Sequence, residues 1–138
     1  MKRWLAEPGQ AAIELAMTTI LFITLVLFIM DGGRIFWNYL TVAEVAQEGA
    51  RYAITHGANS TAPVGPNGYT ALRDLVEARA VGLDPAHLTV TATWANDDNH
   101  RGSTVTVEVA YATGSITSLF WDGITFTLAD SASMVVQN

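Results

Sequence analysis

The stretch AAIELAMTTILFITLVLFIM, residues 11–30, decides the fold of this chain. It contains a single charged residue, Glu14. As an α-helix of this length it spans roughly 30 Å, which is the thickness of the hydrocarbon core of a bilayer. We therefore predict a membrane-spanning helix at residues 11–30, with membrane lipid as its surroundings.

The flanks of this stretch predict its orientation. Lys2 and Arg3 precede it closely, whereas the region that follows is acidic, and short basic flanks stay in the cytoplasm. We expect the N-terminus inside and residues 31–138 outside. A cleaved secretory signal peptide is the competing interpretation, but its apolar core is shorter and ends at a small-residue cleavage site. Here the helical pattern runs on into DGGRIFWNYL, residues 31–40, so we expect the segment to be retained.

Composition restricts the possible partners. At 138 residues the chain has room for one domain plus the anchor. Eleven of the thirteen acidic residues follow residue 30, together with five of the seven basic residues. An acidic surface of this kind repels nucleic acid, so we expect no nucleic-acid partner. Cysteine is absent, which excludes disulfides and thiolate metal sites.

The helical spacing of apolar residues continues beyond the membrane. We predict one helix over residues 10–56, capped by Gly57 at its C-terminal end. Gly32 and Gly33 weaken a helix by about 1 kcal/mol each, so we expect a bend or a locally melted turn at the membrane exit. Small residues in the outer half allow another element to approach closely. Those expected to pack against the head are Ala46, Gly49, Ala50 and Ala53.

The rest of the chain predicts a small head, residues 57–138. A loop rich in Gly, Pro and Asn is followed by a short helix and then by apolar residues that alternate with threonine. A bulge is expected near Asp130, where the alternation of the last strand is interrupted by a charge. The predicted elements are a loop at 57–68, a helix at 70–81, strands at 88–94, 104–111 and 124–136, and a hairpin between the first two strands.

A sheet of this size cannot bury its apolar face alone, and neither can a single helix. The predicted fold class is therefore α+β: a long N-terminal transmembrane helix continuing into a small head with an antiparallel β-sheet packed on the helix. We expect one face of the sheet to be turned toward the helix. The residues predicted on that face are Val90, Trp94, Val107 and Val109.

Residue types that carry catalysis or bind metals are sparse. The three histidines, His56, His87 and His100, have no nucleophile or ligand spacing around them. NDDNH, residues 96–100, offers oxygen ligands to a calcium ion, but it lacks the ligand series and closing Glu of a known loop, so we favour a solvated acidic turn. We expect no catalytic residues, no metal site and no cofactor.

Glu14 needs an explanation, because an ionised carboxylate in hydrocarbon costs on the order of 2–3 kcal/mol. One interpretation is that it lies about one turn inside the cytoplasmic interface and reaches the headgroups. The other is that it meets a partner. The residues before it favour the second interpretation, because a short basic leader and Gly9 precede it.

GQAAIE, residues 9–14, followed by an apolar run, resembles the prepilin-peptidase signature of type IV pilin-like proteins. The resemblance implies that the leader, residues 1–9, is removed after Gly9 and that Gln10 becomes the new N-terminus. Glu14 is then the fifth mature residue. It would set the register between subunits by meeting the amine of a neighbour.

A longer resemblance is to the TadE-like minor pilins of tight-adherence (Flp/Tad) systems. These show an aspartate-x-glycine-arginine motif near the membrane exit and an A-x-x-G-A-R-x-A run after it. In DGGRIFWNYLTVAEVAQEGARYA, residues 31–53, the exit motif is matched by Asp31, Gly33 and Arg34. The second run is matched by Ala46, Gly49, Ala50, Arg51 and Ala53. The C-terminal part also resembles this family, so the likeness covers about residues 9–56 and 104–137.

The resemblance implies a structural subunit, a minor pilin or pseudopilin of a type IV or Tad-type pilus, and no enzymatic activity. Its implied partners are other pilin-like subunits, a prepilin peptidase, and the pilus assembly platform with its ATPase. The subunit would be held in the cytoplasmic membrane before assembly and would be extracellular in an adhesive filament afterwards. The alternative is a permanently anchored single-pass accessory subunit of a membrane complex, whose head is a binding module.

Overall fold

A computed structural model of the chain describes residues 8–114 and 125–137. Its first element is α1, Pro8–Thr55, a helix of 48 residues. Helix α1 is continuous through Gly32 and Gly33, so it has no locally melted turn there, and the alternative of a bend stays a prediction. Asp31 and Asn38, on either side of the pair, are both buried. The basic leader residues, Lys2 and Arg3, lie outside the described residues.

The C-terminal end of α1 is capped by residues of the head and not by a glycine. The helix ends at Thr55, and Gly57 is not among the described glycines with positive φ, so the predicted cap is wrong. The Ile54 carbonyl accepts a hydrogen bond from Gln137 N at 3.1 Å, and the His56 carbonyl accepts one from Val64 N at 2.8 Å. Segments distant in sequence therefore satisfy carbonyls that a helix end leaves unpaired.

The remaining elements confirm the α+β prediction. The second helix, α2, is Thr70–Arg79, two residues shorter at its C-terminal end than predicted. Three strands form one antiparallel sheet in the order β1-β2-β3. Their bounds are Leu88–Trp94 for β1, Thr104–Gly114 for β2 and Thr125–Val135 for β3. The predicted hairpin joins β1 to β2 through a short 3₁₀ turn, Ala95–Asp97.

The third strand is regular, and the bulge predicted near Asp130 is wrong. Pairing with β2 runs without interruption from Thr104 opposite Val135 to Gly114 opposite Thr125. Asp130 lies opposite Val109 in this register, and its carboxylate Oδ1 accepts a hydrogen bond from Ser131 N at 2.9 Å. The alternation of the strand is therefore kept, with a carboxylate at one position of the covered face. Ile124, predicted at the start of this strand, lies outside the described residues.

Both helices cover one face of the sheet, but over different strands. Helix α1 packs on β2 and β3, whereas α2 is the helix that packs on β1. Val107 and Val109 are fully buried, as predicted. Val90 and Trp94 are also buried, but the Trp94 ring lies 5.9 Å from the Tyr69 ring, beside the start of α2. The prediction that these two β1 residues face α1 is corrected, because the first strand lies to one side of that helix.

The N-terminal part of α1 extends away from the head. Helix α1 is long and apolar enough to cross a membrane, with a mean hydropathy of 2.4 in its most apolar 18 residues, none of them buried. Large apolar side chains such as Phe22, Leu25 and Ile29 are each more than half exposed. Such a helix suggests single-pass anchoring in a membrane.

The hydroxyl groups in this segment are compatible with lipid. Thr18, Thr19 and Thr24 each donate a hydrogen bond to the carbonyl four residues earlier, at 2.8 Å. A polar group without a partner in hydrocarbon would cost several kcal/mol, so this pairing within the helix lowers the cost of insertion.

Candidate functional site

The residues predicted to take part in processing and register lie in the first two turns of α1. Gly9, Gln10 and Glu14 are all exposed. A Cβ atom at Gly9 would have no atom within 4 Å. Gln10 and Glu14 are four residues apart, so they lie on the same face of the helix, separated by about 6 Å along its axis. Within residues 8–114 and 125–137 the Glu14 carboxylate makes no hydrogen bond or ion pair, so it is available to an external partner.

The exit motif lies where α1 first touches the head. Asp31 is buried, Arg34 and Gly33 are exposed, and Gly33 lies on the side of the helix away from the sheet. An Arg34 guanidinium nitrogen, Nη2, lies 3.4 Å from the Thr113 hydroxyl oxygen at the end of β2. The Asn38 amide nitrogen lies 3.5 Å from the same oxygen.

Two members of this cluster are absent from the sequence prediction. Asn38 and Thr113 are each at least 95% buried. A signal for Thr113 was present, because the alternation of Val107, Val109 and Tyr111 continues to position 113 on the covered face. Asn38 follows Asp31 by seven residues, two helical turns, and so lies on the same face of α1. Together they make a small polar junction between the membrane helix and the sheet.

The small residues of the outer half of α1 lie against the core of the head. Ala46, Ala50 and Ala53 are fully buried. A Cβ atom at Gly49 would lie 3.0 Å from a methyl carbon of Val76 and 3.2 Å from a methyl carbon of Val107. Gly49 therefore lies where α1 approaches both α2 and β2, and a side chain there would force its neighbours to move.

The opposite side of this part of α1 borders an open groove of about 700 Å³ shared with α2. Sequence reasoning did not identify this groove. Arg79 on α2 pairs with Glu48 on α1, with nitrogen and oxygen 2.6 Å apart. The groove is lined by Glu44, Gln47, Glu48, Arg51, Tyr52, Thr55, Leu75 and Arg79.

Local hydrogen bonds hold the acidic hairpin of the head. The described residues contain no group of three or more His, Asp or Glu side chains placed to hold a metal ion. In the acidic hairpin, Asp98 Oδ1 accepts a hydrogen bond from His100 N at 2.9 Å, and the Asn99 amide donates one to the Val64 carbonyl at 3.0 Å. These bonds fix the turn and fasten it to the loop after α1.

Comparison with known families identifies the part of the chain that carries these features. Residues 9–51 match the family model described as TadE-like protein. The predicted resemblance is thereby confirmed over residues 9–51, a range that contains Gly9, Glu14 and the exit motif, whose roles stay predictions. The resemblance predicted for residues 104–137 lies beyond this match and stays a prediction. No curated protein and no solved structure matches the chain.

Proposed function

Because residues 9–51 match the TadE-like family, we propose that the chain is a structural subunit of a Tad-type pilus, a minor pilin or pseudopilin, and that it performs no catalysis. The observation that carries this proposal is that the matched segment contains the exposed apolar part of α1 together with Glu14. A helix of this kind can exchange lipid for the helices of other subunits, because both surroundings are apolar.

Before assembly, the subunit resides in the cytoplasmic membrane. Lys2 and Arg3 keep the N-terminus inside and the head outside. A prepilin peptidase removes residues 1–9, and Gly9 is accessible to it in the first turn of α1. The assembly platform and its ATPase then extract the subunit into a filament, where its partners are other pilin-like subunits.

In the filament, Glu14 meets the new α-amino group of Gln10 on a neighbouring subunit. Leaving the carboxylate unpaired among apolar helices would be costly, and the amine neutralises it. A buried charge pair of this kind adds little net stability, but breaking it is expensive. We therefore assign Glu14 the role of fixing the register of one subunit against the next.

The test is to compare Glu14→Ala with the matched control Leu15→Ala, an exposed apolar neighbour. Glu14→Ala should insert as well as the unmodified chain or better, because a desolvated carboxylate has been removed. It should nevertheless be missing from sheared filaments, whereas Leu15→Ala should be incorporated. The measurement is the ratio of filament to membrane chain for each variant, together with the mass of the mature chain.

The mass of the mature chain distinguishes a pilus subunit from a permanently anchored accessory subunit. Loss of residues 1–9 in the unmodified chain, and its retention in Gly9→Ala or the bulkier Gly9→Leu, is the expected result. An intact N-terminus combined with normal incorporation of Glu14→Ala would contradict the proposal. The permanently anchored accessory subunit would then be the better description.

A further inference from the structure

A stripe of residues on α1 is left uncovered by the head. It occupies the side of the helix opposite the buried positions, because residues two apart differ by about 200° around the axis. Trp37 and Leu40 on this stripe are 63% and 47% exposed, although residue 30 ends the predicted membrane segment. The stripe, called here the outer stripe, follows spacings of four and three residues and consists of Gly33, Trp37, Leu40, Glu44, Gln47 and Arg51.

The charged end of the outer stripe is unpaired within the chain. Glu44 and Arg51 are both exposed, and neither side chain makes a hydrogen bond or ion pair with residues 8–114 or 125–137. Both line the groove between α1 and α2. Glu48 in the same groove differs from them, because Arg79 already neutralises it. The groove thus offers one free acid and one free base, seven residues apart on one helical face.

We propose that this groove receives the outer stripe of a second copy of the chain, displaced by seven residues, so that Arg51 of one copy pairs with Glu44 of the other. The displacement corresponds to about 10.5 Å along the helix axis. The inference rests on the proposed function in one respect: subunits of one filament lie parallel to each other and are displaced along its axis. The copy in this contact is a different neighbour from the one whose Gln10 amine meets Glu14, because that pairing makes residues four apart level.

Charge complementarity selects this displacement over alignment in register. Two parallel copies in register would place Glu44 against Glu44 and Arg51 against Arg51, and both like-charge pairs are unfavourable. A shift of seven residues removes both repulsions and creates one attraction. It also places Leu40 of one copy beside Gly33 of the other, where a Cβ would meet no atom of its own chain within 4 Å.

The apolar part of the outer stripe gives a reason to associate at all. Leu40 lies about 15 Å beyond residue 30 along the helix, past the headgroup region of a bilayer. Covering Trp37 and Leu40 with a second helix removes apolar surface from water, which is favourable by about 25 cal/mol per Å². The charges then determine the register of this contact, which is how charged positions act in paired helices.

The absence of cysteine from the chain allows a direct test. The full chain is produced as two singly substituted forms in the same cells, Leu40→Cys and Gln47→Cys, and disulfides are formed by mild oxidation of intact cells, which carry both membrane-bound and assembled chains. Positions 40 and 47 become level at the proposed displacement, and both charges remain in place. The 40–47 product should exceed the 40–40 and 47–47 products. Thr91→Cys, on the exposed face of the sheet, is the control and should give little dimer.

Charge reversal tests the pair itself. Glu44→Arg or Arg51→Glu alone should lower the 40–47 product about fivefold, as expected for one partly exposed ion pair. The two substitutions in one chain should restore it, because the exchanged charges again meet across the interface. Glu48→Arg is not equivalent to Glu44→Arg, because it disrupts the ion pair that Glu48 makes with Arg79 within the same chain.

Predominant 40–40 and 47–47 products would overturn the displacement, and failure of the double reversal to restore the 40–47 product would overturn the charge pair. Cross-links only to a chain of different mass would overturn the second copy as the occupant. Leader removal and filament incorporation, measured in the same cells, report on the proposed function separately. A 40–47 product without filament incorporation would leave the contact standing and refute the pilus role.

Discussion

At the scale of single residues, glycine serves two different purposes in α1. Gly49 lies in close packing, because a Cβ atom there would come within 3.0 Å of a methyl carbon of Val76 and within 3.2 Å of one of Val107. Gly33 lies on the outer stripe and has open space around it. The same residue type in the same helix therefore has opposite consequences for stability when it is replaced.

Gly49→Ala should destabilise the head by up to about 2 kcal/mol, since two buried valines must shift by a few tenths of an ångström. Overpacking of this kind costs about 1–3 kcal/mol, and the better helix propensity of alanine offsets about 1 kcal/mol of that cost. Gly33→Ala is the matched control and should leave stability unchanged or raise it by up to about 1 kcal/mol, because alanine is the better helix former. The measurement is the free energy of unfolding of the full chain in detergent. Equal changes for the two variants would contradict the packing geometry.

Thr113 provides a second case at this scale, because its hydroxyl oxygen is the shared acceptor for Arg34 and Asn38. Thr113→Val keeps the shape but leaves the buried Asn38 amide without this acceptor, which should cost about 1–3 kcal/mol of unfolding free energy. Thr113→Ser keeps the hydroxyl and should cost less. If Thr113→Ser were as destabilising as Thr113→Val, the methyl group and not the hydrogen bonds would be what matters.

At the scale of elements, alternation in β1 and β2 predicted both strands, because a sheet with one covered face imposes a period of two on the sequence. The same rule led to a wrong prediction at Asp130. A charged residue at a position of the covered face indicated a bulge, but the strand continues without one. The junction of Asn38 with Thr113 was also beyond local prediction. These residues are 75 positions apart in the sequence, and their contact depends on the position of α1 along the sheet.

The assignment of faces in β2 can be tested with adjacent substitutions. Val107→Asp should unfold the head, because it buries an unpaired carboxylate beneath α1. Thr106→Asp should lose only about 1 kcal/mol, the value of its 2.7 Å hydrogen bond to the Ser133 hydroxyl. Near-ultraviolet circular dichroism of both variants provides the comparison. Similar spectra for the two proteins would show that the faces are wrongly assigned.

At the scale of the whole molecule, α1 is a component of both parts of the protein. Its N-terminal half is exposed apolar surface, and its C-terminal half is the main cover of β2 and β3. The head, residues 57–138, cannot be separated from the whole of α1 without losing part of its own core, including Val42 and Val45. The exposed apolar part of α1 could be predicted from hydropathy, whereas the groove beside α2 could not, because it arises from the packing of two helices distant in sequence.

The orientation of the whole chain gives the last prediction. Protease added to intact spheroplasts should digest the head, because the basic flank at Lys2 and Arg3 keeps the N-terminus inside. Cleavage should stop near the junction at Asp31, where the chain enters the bilayer, and should leave a membrane-bound fragment that carries α1 residues 11–30. A cytoplasmic protein probed in the same spheroplasts must stay intact as the control. Protection of the head together with cleavage ahead of Gly9 would show an inverted chain, and such a chain could not present its head outside the cell.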